Sequence, residues 1–299
     1  MVEREIIKVE DSYNIGTIFS SSNVDFFIDH RYSNAFSGSV ILFGSLGTEN
    51  PVVVKIPRFS KDAEREWEGL TKAFAARVSV PEPIALIEFG KKQKAIMMKQ
   101  IMGDKLYFND DMLMRKKLGA MVFEMHSAVH IDKNNNLVPC LHYQEQLEKY
   151  KSFNSPGQSV WKTTNKLLSK LYPYAFENHN IKSVFNHNDL HEGQIIIEAD
   201  GNLRILDFGN WKIDSNLNDI AYLLFHTIRT KKSIKCYECF LEGYFQNNCA
   251  DKYLRNAIHF YTLFISARAL EYFISTDSKH FASALNTHRD ILKYMQINS

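Results

Sequence analysis

Hydrophobic and polar positions along the chain fall into two regimes. In the N-terminal third, short β-branched and aromatic runs alternate with turn residues: Phe26-Phe27-Ile28, Ser39-Val40-Ile41-Leu42-Phe43, Pro51-Val52-Val53-Val54-Lys55-Ile56, Ile84 to Phe89 and Ala95 to Met98. Runs of this length and composition predict strands. One stretch breaks the pattern: from Lys61 to Ala75 the apolar residues Ala63, Trp67, Leu70 and Phe74 recur at helical spacing, and Val80-Pro81-Glu82-Pro83 stops the helix. From about Asp111 the pattern is mainly helical. It is interrupted by a hairpin-like stretch from Phe185 to Phe208, and helices resume from Asp219 to the end.

This order predicts an α+β chain in two lobes, a sheet with one inserted helix over residues 1–102 and a mainly helical lobe over 103–299. The turn Met102-Gly103-Asp104 is the expected hinge. A chain of 299 residues exceeds the usual size of one hydrophobic core, which favours the same division. There are no internal repeats and no low-complexity linker.

Composition removes some function classes. The hydrophobic share of 45% and charged share of 23% are ordinary for a globular protein. A net charge of +2 and a pI near 8.2 give no argument for nucleic acid as a partner. The start, Met1-Val2-Glu3-Arg4-Glu5, lacks the apolar stretch of a signal peptide, and no apolar run is long enough to span a bilayer. A cytoplasmic protein without membrane attachment is expected. Cys236-x-x-Cys239 is half of a zinc motif, but Cys249 stands alone and Cys140 is distant. The segment Ser233 to Gln246 also reads as a helix, so reduced, packed thiols are expected rather than zinc ligands.

Candidate chemistry lies in His187-Asn188-Asp189-Leu190-His191-Glu192-Gly193-Gln194 and in Ile205-Leu206-Asp207-Phe208-Gly209. Phosphoryl transfer requires a held nucleotide, metal to neutralise phosphate charge and a hydroxyl aimed at the γ-phosphorus. Asp189 can accept the hydroxyl proton. Gln194 offers an amide oxygen and Asp207 a carboxylate, both hard ligands suited to Mg²⁺. A carboxylate base, an amide ligand a few residues on, and Asp-Phe-Gly after a strand-like run have the layout of a kinase catalytic loop and metal loop.

On these residues the chain resembles the aminoglycoside phosphotransferase and choline kinase superfamily, small-molecule relatives of the protein kinases. His187, Asp189, Gln194, Asp207 and Asp219 follow that family's order and spacing, with Gln194 where many members carry Asn. Leu118-Gly119 and Met125-His126-Ser127 resemble the helix before the family's lid, and residues 141 to 178 are a candidate lid. The resemblance runs from about Phe26 to Leu224. It implies a protein-kinase-like fold and a Mg²⁺-dependent enzyme using ATP or GTP, with a nucleotide and a small hydroxyl-bearing molecule as its partners.

The resemblance also implies roles. Asp189 orients and deprotonates the acceptor, His187 braces the loop, and Gln194 and Asp207 hold Mg²⁺. Lys55, at the end of a strand, reaches the α- and β-phosphates and pairs with Glu66 in Arg65-Glu66-Trp67-Glu68-Gly69-Leu70. Ser33, Asn34 and Ser37, in a turn with a single glycine, stand where phosphate-contacting groups are expected. The backbone of Lys99 and Ile101 is expected to meet the base. Asp219 is expected to cap the following helix and support the catalytic loop. No Ala-Pro-Glu follows Asp-Phe-Gly, and Asp219 comes within one short loop, which leaves no peptide platform. Aminoglycoside, choline and sugar-like acceptors stay open. Glu238, Glu242, Asp251, Glu271, Asp277 and Asp290 are offset by cations in the same part of the sequence, and the rings from Phe240 to Phe273 are either core or a cation–π cage. The alternatives are a non-catalytic nucleotide-binding protein and a protein-modifying enzyme on the same fold.

Overall fold

The computed structural model describes residues 26–33, 39–46, 50–89, 92–108, 111–129, 140–151, 158–176, 181–248, 250–276 and 279–298. The chain divides into two compact units, Met1–Lys105 with Gln194–Trp211, and Leu106–Gly193 with Lys212–Ser299.

The first unit is built on a five-stranded antiparallel sheet. Its strands are β1 (Phe26–Ser33), β2 (Val40–Leu46), β3 (Asn50–Ile56), β4 (Pro83–Phe89) and β5 (Gln93–Lys99), in the order β1-β2-β3-β5-β4. Strand alternation decides which way β3 faces. Val52, Val54 and Ile56 enter a core with Val40, Leu42, Ile87, Ala95 and Met97, which turns Val53 and Lys55 to the opposite face. Helix α1 (Ser60–Ala75) follows β3 and packs against β4 and β5. Its buried stripe is Ala63, Glu66, Gly69, Leu70 and Ala73; of the expected apolar residues Ala63 and Leu70 are buried, Trp67 is partly buried and Phe74 is exposed. A carboxylate thus stands in the buried face of a helix.

A smaller sheet joins β6 (Asp104–Lys105), β8 (Ile195–Ile197) and β9 (Leu203–Ile205). The sequence reading groups 103–299 together, whereas residues 194–211 belong with the first unit. Backbone pairing is the reason: Asp104 and Lys105 pair with Ile197 and Ile196, and Ile205 N–H donates to the Ser79 carbonyl at 2.9 Å. Trp211 Nε1 donates to the Arg65 carbonyl at 2.6 Å and ties the end of this segment to α1.

The second unit contains α2 (Met112–Ala128), α3 (Cys140–Lys151), α4 (Gln158–Phe176), α5 (Leu217–Arg229), α6 (Ile234–Tyr244), α7 (Lys252–Ser275) and α8 (Phe281–Asn298). Strand β7 (Ser183–Asn186) pairs antiparallel with β10 (Lys212–Ser215). Helices α2 and α6 cross in close contact because glycines face each backbone. A Cβ on Gly119 would meet the Phe240 carbonyl oxygen at 2.0 Å, and one on Gly243 would meet that of Lys116 at 1.9 Å. Helix α7 is buried almost continuously from Asn256 to Ala267 and packs against α4, α5 and α8.

Tyr143, Phe176, Phe260, Tyr261 and Phe264 interlock around it, with Tyr143 and Phe264 ring centres 4.4 Å apart. Phe240, Tyr244, Phe260, Tyr261 and Phe264 are all buried, so these rings are core and not a cage for a cationic ligand. Cys236 and Cys239 are free thiols on α6. Among the described residues, no helix is long and apolar enough to cross a membrane.

Candidate active site

In the first unit, β3 and α1 bring Lys55 and Glu66 together, and the turn after β9 adds Asp207. Lys55 Nζ lies 2.8 Å from Glu66 Oε2 and 2.7 Å from Asp207 Oδ1. Burial opposes the charge on Lys55, but the two carboxylates outweigh it and hold its pKa above the ordinary lysine value. Burial pushes Glu66 up to about 7; Lys55 counteracts this only in part, and the Asp207 charge adds to the rise. The ammonium therefore stays charged while its buried partner sits close to neutrality.

Asp207 adopts φ 63° and ψ 71°, a left-handed conformation that a non-glycine residue takes at a cost of about 1–2 kcal/mol. Leu206 N–H donates to the Gln194 carbonyl at 2.8 Å, which places the two candidate metal ligands side by side. Gln194 Nε2 lies 3.3 Å from Asp207 Oδ2. With its side chain 39% exposed, the Asp207 carboxylate is open to an ion. A carboxylate and an amide in contact form a hard-donor pair that fits a cation such as Mg²⁺, provided the Gln194 amide turns its oxygen inward.

The remaining residues expected in this unit divide. Lys99 ends β5, where its N–H donates to the Glu82 carbonyl at 2.9 Å, and Ile101 follows, partly buried. Ser33 is paired by backbone with Val40 at the end of β1, while Asn34 and Ser37 lie outside the described residues.

In the second unit the catalytic-loop sequence follows β7. Asp219, fully buried in the first turn of α5, accepts the N–H of His187 at 2.8 Å and that of Asn188 at 2.7 Å. Burial alone would raise its pKa, but His126 and His187 nearby and the Asn188 N–H hold it below the usual carboxylate value. Asp219 does not cap the helix as expected. Asn216 occupies the N-cap, and the Asp219 carboxylate turns back to the loop instead. Asn188, with φ 61°, directs the chain toward partly buried Asp189, and its side chain accepts from Asn218 Nδ2 at 2.6 Å. His187 is fully buried.

Two networks have no counterpart in the sequence reading. His126 on α2 links Asp219 Oδ2, at 3.1 Å, to the Tyr244 hydroxyl, at 2.8 Å. Arg115, also on α2 and 1% exposed, meets Glu192 Oε1 at 2.5 Å, while Lys232 reaches Glu192 Oε2 at 3.0 Å. The loop bearing Asp189 is thereby held at Asp219 and at Glu192. The only sequence signal for Arg115 is a cation on an otherwise packed helix face, which is too common to single out.

A five-stranded antiparallel sheet with one helix, joined to a mainly helical unit, is the protein-kinase-like fold. The amicoumacin kinase hAmiN, solved with AMP-PNP, Ca²⁺ and Ami, matches with a TM-score of 0.70 at 15% identity, over 96% of this chain and 94% of that one. Choline kinase LicA from Streptococcus pneumoniae matches with a TM-score of 0.64 at 15% identity, over 93% and 96%. The GDP and kanamycin complex of APH(2")-IIia matches with a TM-score of 0.65 at 13% identity, over 95% and 98%. No curated protein sequence matches the chain. The model of the phosphotransferase enzyme family matches residues 31–255, most of the chain. The chain belongs to that family and is a phosphotransferase.

Proposed function

We propose that this phosphotransferase moves the γ-phosphate of ATP or GTP, with Mg²⁺, to a hydroxyl group of a small molecule. The observation that carries the reading is the Lys55 ammonium joined to both Glu66 and Asp207, with Gln194 against Asp207. In this reading Lys55 holds the α- and β-phosphates and Glu66 fixes Lys55. Gln194 and Asp207 would hold Mg²⁺, which would supply neutralisation of phosphate charge. Ser33, Asn34 and Ser37 contact phosphate, and the backbone at Lys99 and Ile101 meets the base. Asp189 orients the acceptor hydroxyl. As the oxygen bonds to the γ-phosphorus and the bond to the β-phosphate oxygen breaks, the hydroxyl proton passes to Asp189. His187 braces the loop.

A small acceptor is favoured because the chain between Asp207 and α5 holds only the turn Phe208–Asn210 and β10. Among acidic residues expected to matter for a polycation, Glu238 is bound by both guanidinium nitrogens of Arg255 at 2.8 Å, and Glu271 by Lys149. This favours a neutral or weakly charged acceptor over a polycationic one.

The test is label transfer from γ-labelled ATP or GTP to kanamycin, choline and a set of sugars. Mg²⁺-dependent label on a small molecule, lost in Asp189→Asn, is expected. Label confined to protein would replace this reading with a protein-modifying enzyme. Nucleotide binding without any transfer would replace it with a non-catalytic one.

A further inference from the structure

We infer that Asp189, His191 and His226 form a binding site for a divalent transition metal of the zinc type, distinct in donor chemistry from the pair Gln194 and Asp207. One ligand atom from each of the three side chains lies within 4.8 Å of the other two. Four ligands around zinc at ~2.1 Å stand about 3.4 Å apart, so small rotations of these side chains close the site. Two imidazoles and one carboxylate, with a fourth position left to water, suit zinc and its neighbours; Mg²⁺ prefers oxygen donors and keeps its water.

The rings are already assembled. His191 and His226 stack with centroids 4.5 Å apart and an interplanar angle of 30°. His226 comes from the last turn of α5 and His191 from the loop two residues past Asp189, so the helix and the loop converge at one point. All three side chains are partly buried, neither sealed from an ion nor washed by solvent. His191 Nδ1 accepts the Gly193 N–H at 3.0 Å. A metal on either ring nitrogen ends that bond, directly at Nδ1 or, at Nε2, by moving the ring proton to Nδ1. Metal binding is thus coupled to the backbone of the loop.

The consequence rests on the reading proposed above: a metal that takes the Asp189 carboxylate removes the group that receives the acceptor proton. Zinc-type ions would then be inhibitors of phosphate transfer, acting at the acceptor side and not at the nucleotide.

The test is a Co²⁺ titration of the nucleotide-free protein without Mg²⁺, followed by displacement with Zn²⁺. The wild type should take up one Co²⁺ with visible bands of low-coordinate N/O ligation, and Zn²⁺ should abolish them. Affinity should fall more than ~10-fold in His226→Gln and in His191→Gln, and the bands should persist in Asp207→Ala. Each variant is first shown to unfold cooperatively, and two histidine variants guard against one failing to fold. In the label-transfer assay, Zn²⁺ should inhibit the wild type and spare His226→Gln. Absence of Co²⁺ bands, bands that survive both histidine substitutions, or bands lost in Asp207→Ala would overturn the site. Because the titration needs no turnover, a failed phosphotransferase reading would show as bands without activity, and a failed metal site as activity without bands.

Discussion

Lys55 Nζ lies 2.7 Å from Asp207 Oδ1, at the same time as it lies 2.8 Å from Glu66 Oε2, so a single ammonium is shared by two carboxylates. Lys55 is the cation in direct contact with both Asp207 and buried Glu66 and makes the two carboxylates compatible. Lys55→Met should destabilise the protein by about 3 kcal/mol, the cost of breaking a buried ion pair from one side. Mg²⁺ without nucleotide should recover more of that loss in the variant than it adds to the wild type, because Lys55 no longer competes for Asp207. Urea unfolding with and without Mg²⁺ measures both. An equal Mg²⁺ effect in the two proteins would separate Lys55 from the metal ligands.

Asp189 is partly buried, and its loop is anchored on either side of it, so its role is local. Asp189→Asn should leave nucleotide binding unchanged and reduce turnover by about 10²–10⁴, the range for a positioned acid–base group. Unchanged turnover, measured by label transfer, would remove Asp189 from the mechanism.

Glu192 and Arg115 are both buried, with side-chain exposures of 8% and 1%. Glu192→Gln removes the charge that balances Arg115, and Lys232 cannot offset that loss. A stability loss of about 3–5 kcal/mol is expected, with a fall in kcat larger than any change in the KM for nucleotide. Arg115→Met combined with Glu192→Gln should cost less than the sum of Arg115→Met and Glu192→Gln alone. If the two single losses simply add in the double variant, the pair is not coupled.

The sequence exposes the elements unevenly, and the reasons are physical. Strand β3 is legible because β-branched Val52, Val53 and Val54 stand in a row, and its observed span begins one residue before the expected Pro51, at Asn50. The two-residue strand β6 and short β10 exist through pairing with Ile197 and Asn186, which no local pattern encodes. In α1 the apolar spacing finds the helix and two residues of its buried face, Ala63 and Leu70, but not Glu66, a buried carboxylate that no apolar pattern reveals. At the site, residues 187 to 209 are legible as a linear motif. His126, Arg115 and Lys232 are not: His126 meets Asp219, and Arg115 and Lys232 meet Glu192, only after α2 and the segment following α5 pack. His226 reads as one more residue of an amphipathic helix until its ring stacks on His191.

His288 provides a pH signature of the helical unit. It is fully buried on α8, between the Thr164 and Ser266 hydroxyls at 2.8 Å each, and burial lowers its pKa to about 4. Its folded value lies below the unfolded value, so between pH 6.5 and 4 the unfolded chain binds more protons and stability falls as pH drops. The contribution is full above the unfolded value and amounts to about 3 kcal/mol lost by pH 4. In His288→Gln the loss over this window should be smaller, with His259, also lowered to about 4, supplying part of what remains. An identical pH dependence of urea unfolding in the two proteins would contradict the assignment.

In the proposed reading Asp207, with Gln194 beside it, holds the metal that ties a nucleotide to Lys55. The most direct measurement is thermal stabilisation by ATP and GTP, with and without Mg²⁺, in the wild type, Asp207→Ala, Gln194→Asn and Gln194→Leu. A nucleotide shift is expected that Mg²⁺ strengthens in the wild type, that loses its Mg²⁺ dependence in Asp207→Ala and Gln194→Leu, and that survives in Gln194→Asn. No shift with either nucleotide, or a normal Mg²⁺ response in Asp207→Ala, would contradict it.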